Sequence, residues 1–114
     1  MKHFKREELA CNCGCGQDTV DYELARLLDE IREWANAPVT VTSGNRCEKY
    51  NKEIGGSKNS QHVLSRAADI QVKGKTPFQV YRWMDDKYPY QYGVGHYDTF
   101  THIDSRKQRA RWKG

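Results

Sequence analysis

Two imidazoles and a carboxylate carry the chemistry open to this sequence. His62 and Asp69 stand seven residues apart in Ser60-Gln61-His62-Val63-Leu64-Ser65-Arg66-Ala67-Ala68-Asp69, and His102 follows late, in Phe100-Thr101-His102-Ile103-Asp104. Two histidines and an aspartate suit zinc, and three protein ligands leave a fourth position for water. By spacing alone the same residues also fit a surface-loop histidine and a turn aspartate. Zinc in this set would keep a net positive charge, and so would acidify water and polarise a carbonyl oxygen. The spacing differs from His-Glu-x-x-His, in which both imidazoles share one helix face. Here the ligands come from separate segments, so folding must assemble them.

Four stretches frame the set: Val41-Thr42-Ser43-Gly44-Asn45-Arg46, Asn51 through Gly56, Ser60 to Ile70, and Gly93-Val94-Gly95 leading to His102-Ile103-Asp104. In order and spacing, over the span from Phe4 to Arg106, the chain resembles the zinc D-alanyl-D-alanine carboxypeptidase family of murein peptidases in its smallest, single-domain form. The resemblance implies a zinc peptidase acting on peptidoglycan peptides, with one zinc ion held by His62, Asp69 and His102. It also implies that Arg46, in Ser43-Gly44-x-Arg46, lies near the scissile bond and binds a substrate carboxylate or the developing oxyanion. A permanent, forked cation suits either task; pairing with Glu48 or Asp69 is the alternative. Ser60 joins Arg46 as a candidate substrate-binding residue.

The general base is less direct. Many relatives carry an acidic residue three positions before the last histidine, where this chain has Thr99. Asp98, one step further away, is the first candidate. On a straight strand it would lie roughly 13 Å from His102 at about 3.3 Å per residue, so a tight turn is required. His96 is the rival: a three-residue loop, Asp98 to Phe100, would set it opposite His102, whereas a two-residue loop would turn it away. Asp104 shares the face of His102 and is expected to orient that imidazole or to serve as an alternative base. Two departures from the family stand out. Ser65 takes a position where relatives usually have glycine, which matters if the backbone there needs a positive φ. Phe100 takes the position of a catalytic histidine found in some related murein peptidases.

Several elements must position these groups. Val20, Leu24, Leu27, Leu28, Ile31 and Trp34 recur at three- and four-residue steps, which predicts a helix over Asp21 to Ala35 with a core-facing stripe. Asp18 or Asp21 can cap it, and Asn36-Ala37-Pro38 stops it. A short helical turn is expected over Phe4 to Leu9. Strands are expected over Pro38 to Thr42 and Arg66 to Val72. A short helix is expected over Cys47 to Ile54, and the Gly55-to-Asn59 loop then delivers Ser60 and His62. Thr76-Pro77 starts a helix to about Lys87, with Phe78, Val80, Tyr81 and Met84 on its apolar side. Tyr90 to Tyr97 and Phe100 to Asp104 read as a hairpin. The expected class is α+β: a small, mainly antiparallel sheet with helices packed on one side and the zinc site at strand ends.

With 114 residues the chain is expected to form one zinc peptidase domain, 1–114, and a monomer. No apolar run approaches a membrane span, and Met1 to Arg6 lacks a signal-peptide core. Synthesis in the cytoplasm is therefore expected, with access to the wall by another route, such as phage lysis or a virion. The net charge of +4 is partly local, because Arg106, Lys107, Arg109, Arg111 and Lys113 crowd the end of the chain around Trp112. That basic stretch, about 105–114, is expected to be a solvated tail or a contact to an anionic wall polymer or membrane surface. No nucleic-acid recognition motif accompanies the charge. Cys11, Cys13 and Cys15 in Cys-Asn-Cys-Gly-Cys-Gly, with the distant Cys47, allow a structural zinc or a disulfide to Cys47. Three functions follow: a D-Ala-D-Ala carboxypeptidase or a stem-peptide and cross-link endopeptidase, in lysis or wall remodelling; an inactive, zinc-stabilised wall-binding module; and a basic nucleic-acid binder with a cysteine-cluster zinc.

Overall fold

The computed structural model describes residues 1–114. A 3-10 turn at Arg6–Leu9 precedes α1 (Tyr22–Ala35), β1 (Val39–Ser43), α2 (Glu48–Glu53), β2 (Ala67–Val72), α3 (Pro77–Lys87), β3 (Gly93–His96), β4 (Thr101–Asp104) and β5 (Ala110–Lys113). Local chemistry sets most of these boundaries. The Asp21 carboxylate accepts from the Leu24 N–H at the start of α1, and Asn36 ends the helix in a left-handed conformation. Thr76 and Gln79 form a capping box at the start of α3, with Pro77 in the first turn.

The sheet order is β1-β2-β4-β3-β5; all neighbours are antiparallel except β3 and β5. Alternation along the strands gives the sheet two chemically different faces. Ala68, Ile70, Val72, Val94 and Ile103 join Leu24, Leu27, Leu28 and Ile31 of α1 and Val80 and Met84 of α3 in one buried apolar cluster. Burying a side chain of this size contributes roughly 1.5–3 kcal/mol, so this side is the core. The opposite face carries Asp69, His102 and Asp104, all buried. The expected α+β class, with the two long helices on one side of the sheet, is what forms.

The basic end of the chain departs from expectation. It is not a solvated tail: Ala110–Lys113 is an edge strand in register with β3. Arg111 explains why. Its side chain is 6% exposed and donates to the backbone carbonyls of Tyr88, Gln91, Tyr92 and Ala110 and to Asp85 Oδ1. The guanidinium thus satisfies the Tyr88 and Gln91 carbonyls between α3 and β3 and adds a second donor to the Tyr92 carbonyl, which also accepts the Ala110 N–H. It also holds the Asp85 carboxyl below the usual carboxylate range. A run of alternating charge gives no apolar periodicity, so this strand has no signal of its own in the sequence.

Arg111→Met keeps much of the buried stem but removes all five donations. It is expected to destabilise the fold by about 2–4 kcal/mol, measured as a lowered urea midpoint. Truncation after Gln108 should unfold the protein; an unchanged midpoint in either variant would return the segment to the status of a free tail.

Candidate metal centre

Register brings the site together. Asp69 on β2 pairs with His102 on β4, His102 with Gly95 on β3, and Gly95 with Trp112 on β5. Residues directly opposite one another share a face, so these four form a row across the sheet. A Cβ on Gly95 would collide with the Trp112 indole, and one on Gly93 with the Asp104 carboxylate. The two glycines of Gly93-Val94-Gly95 therefore leave room for the indole to lie 5.0 Å from the His102 ring. His62 enters from the long connection between β1 and β2, edge-on to His102 with ring centroids 5.1 Å apart.

Three potential ligand atoms converge. Asp69 Oδ1 lies 3.3 Å from His62 Nε2 and 3.0 Å from His102 Nδ1. Ligands about 2.1 Å from a tetrahedral zinc would be about 3.4 Å apart, close to both distances. The outer nitrogens fix the tautomers. His62 Nδ1 is 2.8 Å from the Gly44 carbonyl oxygen, which can only accept, so Nδ1 carries the proton and Nε2 presents its lone pair. His102 Nε2 donates to Asp104 Oδ2 at 2.8 Å, which leaves Nδ1 free to ligate. Two imidazole lone pairs and a carboxylate oxygen aimed at one point require a proton or a cation between them. The donor set fits zinc.

The electrostatics agree. Burial alone would raise the Asp69 carboxyl, but hydrogen bonds and charge from His102 and His62 outweigh it and hold the group well below the usual carboxylate range. Burial likewise opposes ionisation of Asp104, yet His102 and Arg106 keep it ionised and depressed. Burial would lower His102, but its two carboxylate partners raise it. Asp104 is completely buried. Its Oδ1 accepts from Arg106 N and Nε, and its Oδ2 from Arg106 Nη2 and His102 Nε2. With four donors on two oxygens it is an orienting group with no free lone pair for substrate.

Around these residues lies an open cleft of about 520 Å³. Arg46 lines it, with its side chain 14% exposed. Its Nε donates to Ser43 Oγ at 3.2 Å and its Nη1 to Asn51 Oδ1 at 3.3 Å, while Nη2 lies 3.5 Å from Asp69 Oδ2. The pairing with Asp69 and the place in the cleft are thus compatible. Gly56 permits this arrangement, since a Cβ there would strike the Asn51 amide. Ser60 also lines the cleft, and its Oγ accepts the His62 N–H.

Neither proposed base reaches the site. The hairpin loop has four residues, Tyr97 to Phe100, because His96 pairs with Thr101. His96 therefore faces the helices, where its ring packs near Phe78 and Tyr81 of α3, and Asp98 stands exposed at the hairpin tip. Neither lines the cleft, and the expectation that one of them acts as base fails on loop length. No motif in the sequence assigns to the site three residues that do line it: Tyr97, Arg106 and Trp112. Arg106 and Trp112 entered only as part of the basic stretch, as a contact to an anionic polymer. Arg106 lies over the Trp112 ring at 5.2 Å, and Trp112 Nε1 donates to the Tyr97 hydroxyl at 2.9 Å.

Ser65 resolves the question of the missing glycine. Its φ is +63°, so the position does take the left-handed conformation, at a cost of roughly 1–2 kcal/mol for a residue with a Cβ. The hydroxyl offsets that cost: Ser65 Oγ bonds Thr19 Oγ1 at 2.7 Å and accepts from Asn45 Nδ2 at 2.9 Å.

A small α+β sheet with a His/Asp/His donor set at the floor of a cleft defines the class as a zinc-site hydrolase. The family model described as Peptidase M15 matches residues 2–104, and the chain belongs to this family of murein-type zinc peptidases. No curated protein matches the chain closely enough to stand as a relative.

Ser65→Gly exchanges relieved strain for two lost hydrogen bonds and is expected to leave stability within about 1 kcal/mol. Ser65→Ala keeps the strain and loses the bonds, and should cost about 1–2 kcal/mol. Equal denaturation midpoints for the two variants would show that φ at this position is not constrained.

Proposed function

We propose that the chain is a zinc peptidase that hydrolyses peptidoglycan peptides, as a D-alanyl carboxypeptidase or as an endopeptidase of stem peptides and their cross-links. One observation carries this: three acceptor atoms, the two imidazole nitrogens among them oriented from behind by a backbone carbonyl and a carboxylate, meet at the floor of an open cleft. His62 Nε2, Asp69 Oδ1 and His102 Nδ1 would hold the metal. Zinc bound there supplies Lewis acidity toward a peptide carbonyl and makes water a stronger acid near neutral pH.

The rest falls to the chain's own groups. Arg46, held by Ser43, Asn51 and Asp69, binds a substrate carboxylate or stabilises the oxyanion that forms on the attacked carbonyl. Tyr97 accepts the Trp112 N–H, so its own O–H remains to donate to a peptide in the cleft. Tyr97, Phe100 and Trp112 supply apolar walls, while Arg46 and Arg106 make the cleft suited to an anionic ligand. Stem peptides carry free carboxylates and fit this charge.

A second function, a zinc-stabilised wall-binding module without catalysis, is favoured by one specific feature. Asp69 is the one carboxylate lining the cleft, and it is committed to both histidines and Arg46. Turbidity of purified murein and free D-alanine released from its stem peptides together separate the two: an endopeptidase clears the suspension and a carboxypeptidase releases D-alanine, whereas binding alone does neither and sediments the protein with undiminished wall.

His62→Ala and His102→Ala should each abolish tight zinc binding at this site together with clearing and D-alanine release. Clearing by either variant at the wild-type rate would remove the site from the chemistry. Asp98→Asn and His96→Gln should stay well short of the roughly hundredfold loss that follows removal of a general base. A hundredfold loss in either would return proton transfer to the hairpin.

A further inference from the structure

The cleft leaves one chemically distinctive cluster unused. Cys13, Cys15 and Cys47 line a separate surface pocket with no residue in common with the cleft, and Cys11 is buried behind them. The alternate-residue spacing of the first three looks unsuited to a metal, yet the backbone adapts to it. Gly14 and Gly16 adopt φ of +83° and +87°, and the Gly14 N–H donates to the Cys11 carbonyl. The chain therefore turns between Cys11 and Gly14, and the three thiols gather beside Cys47.

The sulfur geometry is specific. Cys11 Sγ lies 3.5 Å from Cys13 Sγ and 3.9 Å from Cys47 Sγ, and Cys13 Sγ lies 3.7 Å from Cys47 Sγ. All four sulfurs are within 4.8 Å of one another. Four sulfurs about 2.3 Å from one tetrahedral zinc would be separated by about 3.8 Å, within the span of the three separations among Cys11, Cys13 and Cys47. Two backbone donors reinforce the arrangement: the Cys47 N–H points to Cys11 Sγ and the Tyr50 N–H to Cys47 Sγ, each at 3.4 Å. Such N–H groups stabilise thiolate, the form that binds metal.

We propose that Cys11, Cys13, Cys15 and Cys47 bind a second zinc ion, fully ligated by protein and structural in role. An all-sulfur tetrahedral set selects zinc over the hard divalent ions and leaves no open position for substrate. The metal fastens the arm before α1 to the residue that follows Arg46. That junction bears on the cleft: Asn45 N–H donates to the Leu9 carbonyl at 2.8 Å, and Gly44 packs so tightly on the Leu9 backbone that a Cβ would come within 2.7 Å of its oxygen. Gly44 supplies the carbonyl that orients His62. The cysteine zinc thus holds the segment Gly44 to Cys47, and with it Arg46, against the N-terminal arm.

The test uses the full chain, purified under reducing conditions, with the double variant His62→Ala/His102→Ala beside it. Metal analysis should find two zinc ions in the wild type and one in the double variant. In that variant, stoichiometric addition of an organomercurial should release one zinc as four thiolates are consumed. Cobalt substitution should give the intense sulfur-to-metal charge-transfer absorption of a tetrathiolate site. A folded double variant with no zinc, its thiols either free or joined in disulfides, overturns the proposal and leaves the histidine site unaffected. Should the double variant fail to fold, cobalt in the wild type decides, since the histidine site has no sulfur and cannot produce the charge-transfer bands. Cys11→Ser/Cys47→Ser, which keeps both histidines and leaves two thiols, should retain one zinc and lose those bands; retention of two zinc ions also overturns it.

Discussion

The antiparallel pairing of Asp69 with His102 is the constraint on which the site depends. Side chains alternate between faces, so a slip of one residue between β2 and β4 would turn His102 into the apolar cluster and leave Thr101 beside the carboxylate. The register is held from the other face. Ala68 pairs with Ile103 and Ile70 with Thr101, and a slipped strand would bury imidazole and carboxylate among leucines. Hydrophobic burial on the helix side thereby aligns charged groups on the other side. The core positions the site without touching it.

Behind that pair, polar groups are satisfied in layers. Asp104 orients His102 and is itself held by Arg106, whose guanidinium lies over Trp112. On the opposite side, Gly44 orients His62 and is pressed on Leu9. A buried carboxylate with an unsatisfied oxygen would be costly, and Asp104 avoids this by accepting four donations. Oriented ligands of this kind meet a metal without reorganising, which raises affinity and fixes geometry.

The same economy shapes the small structural devices. Gly93 and Gly95 make room for a carboxylate and an indole, Gly56 makes room for the asparagine that holds Arg46, and Ser65 trades backbone strain for two hydrogen bonds. Each is a local departure from the residue that the element alone would favour. Each lies beside a cleft residue or beside the group that orients one, as expected where function requires groups to be held closer than default packing allows.

The sequence by itself determined the helices and four of the five strands, and it pointed to the three residues whose ligand atoms converge. Those follow from local signals: the leucine stripe of α1, the Thr76-Pro77 start of α3, the alternation in β2, and a ligand set whose neighbours Ser43-Gly44-x-Arg46 and His102-Ile103-Asp104 resemble a known family. Tertiary structure alone decided the rest. The hairpin loop took four residues, which sent His96 to the helices and Asp98 to solvent, because turn length is chosen by the pairing of β3 with β4 and not by the loop residues alone. The basic end became β5 because Arg111 found backbone carbonyls between α3 and β3, partners from another part of the chain that no local pattern announces. Periodicity reports which face a residue takes; only folding reports what lies across from it.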